Sequence, residues 1–248
     1  MKQILKLSFL FFVFFNLNAQ TNSAIVTYKK TKTKKTFTDE KKKKIGKKKF
    51  DRFAALEKEA EKVSNSLSFT LKYNANKAVF KVNSFMDTPN NRLKNLALLP
   101  FGKGVYYNSK TERIKVVETF GDIFSVKYPV DYTKWTLSKE SKKIGKYLAY
   151  KATAVEKIKT DNGFINYKIT AWYTPEINIQ YGPIGYSNLP GLILELKKNK
   201  IVYYVTNIEF NPKKFVKVDK PKKGKSITLE EFRDLAIDAT KKYRKIRG

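Results

Sequence analysis

Glu176 and Glu195 bracket a Gly/Pro-rich stretch and are its nearest acids, the pair that a two-carboxylate hydrolysis would need. Little other chemistry is open to this chain. It has no His and no Cys, which excludes a Ser-His-Asp triad, an imidazole base, a thiolate nucleophile and every His- or Cys-built metal centre. Nothing in it resembles a P-loop, a Rossmann turn, an EF-hand loop or a nucleophile elbow. The expectation is no catalytic residue, no metal and no cofactor. The binding candidates lie in the same stretch: Trp172, Tyr173, Glu176, Gly182, Pro183, Asn188, Leu189, Pro190 and Gly191. Two readings of it stay open. It is a structural corner packed back onto its own sheet with Trp172 beneath, or it is the lip of a ligand groove carrying exposed rings of Tyr173, Tyr181 and Tyr186.

The elements that must position these residues are mostly strands. The chain of 248 residues is 42% hydrophobic and 14% aromatic, enough for a sizeable core and high for a helical protein. Leu67, Phe69 and Leu71 alternate with polar residues, and the alternation resumes over 79–85 after Asn74, Ala75 and Asn76, which reads as a β-hairpin. Further strands are expected at 104–108, 113–120, 123–128, 135–137, 147–159, 163–174, 192–196 and 201–210, with a short one at 24–28. Phe53, Leu56, Ala60 and Val63 put one apolar stripe on a charged helix whose Glu57, Glu59 and Glu61 face water. A second helix starts at Thr228, with Glu231 three residues on as a capping box and Ile227 and Phe232 as a hydrophobic staple. Its buried stripe is Phe232, Leu235, Ala239 and Tyr243. The fold class is mainly β (α+β): an antiparallel, curved sheet or half-barrel with a helix near each end.

The chain starts with an address. Lys2 and Lys6 precede a short apolar run to Phe15, and Ala19 stands before Gln20, the pattern of a secretory signal peptide cleaved near Ala19. The alternative is an uncleaved anchor. No later segment is apolar and long enough to span a bilayer. The protein is expected to be exported, to the periplasm or the exterior. The expected organisation is a signal peptide over 1–19, a basic strand and helix over 20–65, the sheet over 66–212, and a basic connection and helix over 213–248.

The formal charge is +30, from 52 Lys+Arg against 22 Asp+Glu. Lysine supplies 46 of the 52, a bias that AT-rich codons would give by themselves. The residual excess suits an anionic surface. Scarce Arg argues against sequence-specific nucleic-acid reading, which Arg dominates. The signature stretch, 171–196, contains no Lys or Arg, so the charge lies elsewhere.

That stretch reads Ala171-Trp172-Tyr173-Thr174, then Gly182-Pro183, then Asn188-Leu189-Pro190-Gly191-Leu192-Ile193. It closely resembles the GLPGLI family of exported Bacteroidota proteins, with Asn188 where that signature has its first Gly. Asn tolerates a left-handed backbone best among non-Gly residues, so the same turn is expected. Trp135 through Gly145 and the 67–85 hairpin also resemble the family. The resemblance implies a family of unknown function. The reading is therefore an exported, non-enzymatic envelope or secreted protein that binds an apolar or glycolipid ligand or an envelope partner. The alternatives are an electrostatic binder of anionic surfaces or polymers, and a carboxylate-based hydrolase.

Overall fold

The computed structural model describes residues 22–33, 38–83, 91–98 and 103–247; the signal-peptide segment lies outside them. Two runs of strands, each laid down in chain order, make one twelve-stranded sheet. The first meander is β1 (Ser23–Lys32), β2 (Ser68–Asn74), β3 (Lys77–Val82), β4 (Val105–Asn108), β5 (Arg113–Thr119) and β6 (Asp122–Tyr128). The second is β7 (Thr136–Ile144), β8 (Tyr147–Thr160), β9 (Gly163–Thr174), β10 (Leu192–Lys198) and β11 (Ile201–Phe210). β1 pairs antiparallel with β11 and joins them, and β12 (Lys225–Thr228) returns to the β6 edge. The last pairing is parallel; every other strand pair is antiparallel, as expected, and the basic connection before the last helix holds the short strand β12.

The sheet must curl. β6 and β7 lie ten strand spacings apart in sheet order, roughly 48 Å if flat. The link from Tyr128 to Thr136 can span only about 28 Å fully extended. The two edges therefore face each other, and the strands form an open half-barrel. Register shifts at Thr27/Tyr28, Ile193/Glu195 and Leu137/Ser141 supply local bends.

Period-two alternation selects the inner face. Ala24, Val26 and Tyr28 of β1 face inward beside Phe69 and Leu71 of β2, Phe80 of β3 and Tyr203 of β11. Phe69 and Phe80 stack at 5.7 Å, and Tyr203 meets both edge-on. The β2–β3 turn is tighter than the three-residue link expected: Ala75 and Asn76 alone, at φ 47° and 64°, make it, the doubly left-handed geometry that matches strand twist.

Among the described residues, four helices decorate the sheet: α1 (Asp39–Ile45), α2 (Lys47–Ser66), α3 (Asn91–Leu98) and α4 (Leu229–Arg247). α2 buries none of its residues. Of its apolar stripe, Val63 packs on the core while Phe53 is exposed. Glu57 does not face water alone; it pairs with Lys32 of β1. α4 begins as expected, with the Glu231 amide donating to Thr228 Oγ1 at 3.2 Å and the Thr228 amide to Glu231 Oε2 at 2.8 Å. Ile227, Phe232 and Leu235 pack on Val117, Phe124 and Val126 as a second small core. Among the described residues no helix is long and apolar enough to cross a membrane.

Lys30 breaks the apolar row of β1. It is buried, donates to the Ala97 carbonyl of α3 at 2.5 Å and lies 5.9 Å from the Phe69 ring centroid. Burial lowers its pKa to about 8, from 10.5. Between those two values the unfolded chain holds a proton that the folded chain has lost, so this group's contribution to stability rises with pH. Wild type should gain about 3 kcal/mol relative to Lys30→Met between pH 8 and 10.5. Urea titrations of both proteins across that window measure it, and parallel pH profiles would refute a buried ammonium.

Candidate functional site

The signature segment fills the half-barrel. Between β9 and β10 the chain turns inward, and Ile177, Ile179, Ile184 and Leu189 are buried on the main core, together with the rings of Tyr181 and Tyr186. Tyr173 is buried at the end of β9. The three tyrosine rings expected at an exposed lip are therefore inside the core. Hydrogen bonds fix the plug to distant strands. Tyr28 of β1 donates to the Ile193 carbonyl at 2.7 Å, Tyr181 to the Asn76 carbonyl at 2.6 Å, and Asn108 of β4 to the Gly185 carbonyl at 2.9 Å. Trp135 Nε1 donates to the Ser187 carbonyl at 2.9 Å and its ring lies against Tyr186.

The individual residues follow from local backbone needs. Pro183 opens a short 3-10 turn, Pro183–Gly185, and is buried. Gly182 lies under Ile193, where a Cβ would sit 2.7 Å from Cδ1. Asn188 adopts φ 70° and donates its side-chain amide to the Val130 carbonyl at 3.0 Å, so the left-handed turn expected there is present. Leu189 is buried, Pro190 is exposed, and Gly191 has φ 148°. Trp172 is not beneath the loop. It alternates with the buried Ala171 and Tyr173, and lies on the opposite face of the sheet with Lys142 4.5 Å from its ring centroid. Glu195 accepts from the same Lys142 at 3.0 Å, and Glu176 accepts from the Leu148 amide at 2.9 Å. Each candidate carboxylate thus has its own neighbour as partner. Replacing Asn188 by Gly should change stability by less than about 0.5 kcal/mol, while Asn188→Ala should cost about 1–2 kcal/mol. Thermal melts of the pair test whether the turn, rather than the side chain, is what matters.

The structure assembles a different cluster that strand-by-strand reading missed. Ala152 and Ala154 of β8 face inward, and the next position in that row is Glu156. Leu194 and Leu196 of β10 face inward, and the row ends in Lys198. Curling brings this edge opposite Arg113 of β5 and Tyr128 of β6, while the β6–β7 link contributes Tyr132 and Thr133. The sequence signal was a charged residue continuing a buried period-two row.

Glu156 is the hub. Its Oε1 accepts from the Tyr132 hydroxyl at 2.9 Å, and its Oε2 accepts from the Tyr186 hydroxyl at 2.8 Å and from Lys198 Nζ. Burial pushes its carboxyl up, but the Lys198 charge and these hydrogen bonds outweigh burial and hold it below the ordinary 4.5. Burial likewise lowers Lys198, and the attraction of Glu156 opposes that. Tyr186 is raised far above its ordinary value by burial, then by Glu156. A carboxylate this well solvated by donors is an ionised structural acceptor, not a general base.

Arg113 lies beside it, 7% exposed. Its guanidinium carbon is 5.4 Å from the ring centroids of Tyr128 and Tyr132 and 5.5 Å from that of Tyr186. Lys115, next on the same face of β5, also lines the small cavity of about 60 Å³ that these side chains enclose. The cavity continues into a cleft of about 390 Å³ beneath α4, sharing Lys115, Tyr128, Glu156 and Lys198. Leu229, Phe232, Ala236 and Ile237 of α4 and Ile158 of β8 give that cleft its apolar wall. The architecture is thus a half-barrel plugged by one loop, with a helix-covered cleft ending in a charged pocket.

A family model described as "Protein of unknown function (Porph_ging)" matches residues 163–195, which run from β9 through the plug into β10. No curated protein matches the chain. Among solved structures, one described as "Structure of PNGF-II in P21 space group" is similar at 15% identity and TM-score 0.48, over 86% of this chain and 33% of that one. The same protein in a C2 space group gives 16% identity and TM-score 0.47, over 86% of this chain and 32% of that one. An uncharacterized conserved protein from Thermus thermophilus gives 8% identity and TM-score 0.34, over 85% of this chain and 92% of that one. The chain spans about a third of the length of the PNGF-II structure.

Proposed function

We propose that this chain is an exported, non-enzymatic protein of the GLPGLI type that binds a ligand with a long apolar body, a lipid or glycolipid, in the cleft between α4 and the half-barrel. The observation that carries the reading is the 390 Å³ cleft walled by Phe232, Ala236, Ile237 and Ile158. Its size and mixed lining are those of a ligand site. Saturation of Glu156 by three donors supports binding rather than hydrolysis. The test is displacement of an environment-sensitive acyl fluorophore from the purified mature protein, with Ala236→Trp as the blocked variant. Binding by wild type and its loss in the tryptophan variant are expected; equal uptake by both would end the cleft reading. Export predicts that N-terminal sequencing of the processed protein starts at Gln20.

The excess of 52 basic over 22 acidic residues favours a second reading, adsorption to anionic envelope surfaces or polymers. Binding to anionic liposomes that falls steeply with salt supports it, and no binding at low salt eliminates it.

A further inference from the structure

The pocket at the inner end of the cleft holds more positive charge than it needs for its own structure. Three cations line it, Arg113, Lys115 and Lys198, against one carboxylate, Glu156. Lys198 is neutralised by Glu156, and both oxygens of that carboxylate are already taken. Among the described residues, the Arg113 side chain makes one hydrogen bond, from Nη1 to Thr133 Oγ1 at 3.1 Å. A guanidinium has five N–H donors, so most of the donor capacity of this buried side chain is unused by the described residues. Among the described residues, neither Arg113 nor Lys115 forms an ion pair. The Lys115 ammonium lies 5.5 Å from the Tyr106 ring centroid, at the junction of pocket and cleft.

A buried guanidinium without a direct ion pair is costly, and the nearby Glu156 carboxylate, already held by Lys198, offsets only part of that. The aromatic rings around Arg113 offset part of that through cation–π attraction, and an oxyanion would offset the remainder through paired N–H donors. The space of about 60 Å³ is about two water volumes, enough for one such group. Outside it, Ile158, Phe232, Ala236 and Ile237 give the cleft an apolar wall, with Lys159, Asp161 and Arg233 on its polar side.

We infer that this pocket is the head-group site for a single oxyanion, a carboxylate or a phosphate, borne by an amphiphile whose apolar tail lies along α4. The inference rests on the cleft reading above and names the ligand class. Arg113 supplies the paired donors, Lys115 supplies charge at the mouth, and Glu156 with Lys198 forms the rigid neutral floor. Tyr128 and Tyr132 shield the head from water. A neutral head would leave Arg113 unpaired, so selectivity follows from the same unused donors.

The experiment is calorimetric titration of the full mature protein with laurate, dodecyl phosphate, dodecanol, acetate and inorganic phosphate. Laurate or dodecyl phosphate is expected to bind at least about tenfold tighter than dodecanol, and the tighter of the two identifies the head. Lys115→Met, a half-buried residue without hydrogen bonds among the described residues, should fold and reduce the preference for the charged head over dodecanol about fivefold. Lys217→Met, on an exposed connection, is the control and should change nothing. Equal affinity for laurate and dodecanol would overturn the head-group pocket and leave the cleft standing. Acetate or phosphate binding that Lys115→Met abolishes, with no dodecyl ligand bound, would keep the pocket and overturn the cleft. Equal losses in Lys115→Met and Lys217→Met would reduce the effect to surface charge and overturn the pocket. Silence from all five ligands overturns both.

Discussion

Gly191→Ala should leave no folded protein. A Cβ at this position would lie 2.0 Å from the Thr174 carbonyl oxygen, 2.5 Å from its carbon and 2.9 Å from the Pro175 Cα. All three are backbone atoms at the point where the plug leaves β9, so no side-chain rotation relieves the overlap. The φ of 148° adds strain that only glycine escapes. Together they put the cost on the order of 5 kcal/mol or more, comparable with the whole stability of a typical domain. Gly145→Ala is the matched control. Its φ of 58° is also left-handed, but nothing lies within 4 Å of the added carbon, so about 1 kcal/mol is expected. Soluble yield and urea midpoints of the two variants measure the difference. A cooperative, near-native Gly191→Ala protein would mean that the plug can shift away from β9.

Glu156→Gln should cost about 3–5 kcal/mol, because it removes the buried carboxylate that pairs with the Lys198 ammonium and accepts from Tyr132 and Tyr186. The neutral pair Glu156→Met with Lys198→Met should be less destabilised than either single change, since the two paired charges leave together. The pH profile carries a second signature. The folded carboxyl titrates below the ordinary 4.5, so its contribution is fully present above that value and is lost as pH falls through the folded pKa. The gap between wild type and Glu156→Gln should therefore be constant near neutrality and narrow below about pH 4.5. Chemical denaturation at pH 7 and pH 3 distinguishes this from a packing defect, whose cost would not depend on pH. The Met pair should also disorder the pocket, because Tyr132 and Tyr186 lose their shared acceptor, whereas Glu156→Gln keeps an oxygen for one of them.

Strands that face a core on one side are legible in the sequence. β2, β3, β9 and β11 announce themselves by alternation, and the capping box at Thr228 and Glu231 lies where its spacing places it. β7 reads as three residues and runs to nine, because Thr136–Ile144 has almost no apolar row to reveal it. It is a lysine-rich sheet edge, where charge discourages pairing with other chains. β12 has four residues and no periodicity, so its parallel pairing with β6 is invisible locally. The candidate site divides the same way. The signature marks a segment whose Gly and Asn positions are set by backbone geometry, and those positions are readable one by one. The pocket needs β5 and β6 brought across from β8 and β10, a closure that no local pattern encodes. Arg113 therefore looks like one basic residue among 52.

The seam between the two meanders carries a kinetic consequence. β1 lies at the centre of the sheet, yet its outer ladder is to β11, and the Ser23 amide meets Asn211 across 188 residues. Each meander can form from neighbours in the chain, but neither can be closed until that pairing is made. Contacts of such sequence separation form slowly, because loop closure must precede any gain from them. A chain emerging N-terminus first would hold β1 unpaired on one side until residue 210 had appeared. The arrival of β11, not the completion of the first meander, decides when the two halves of this sheet can join.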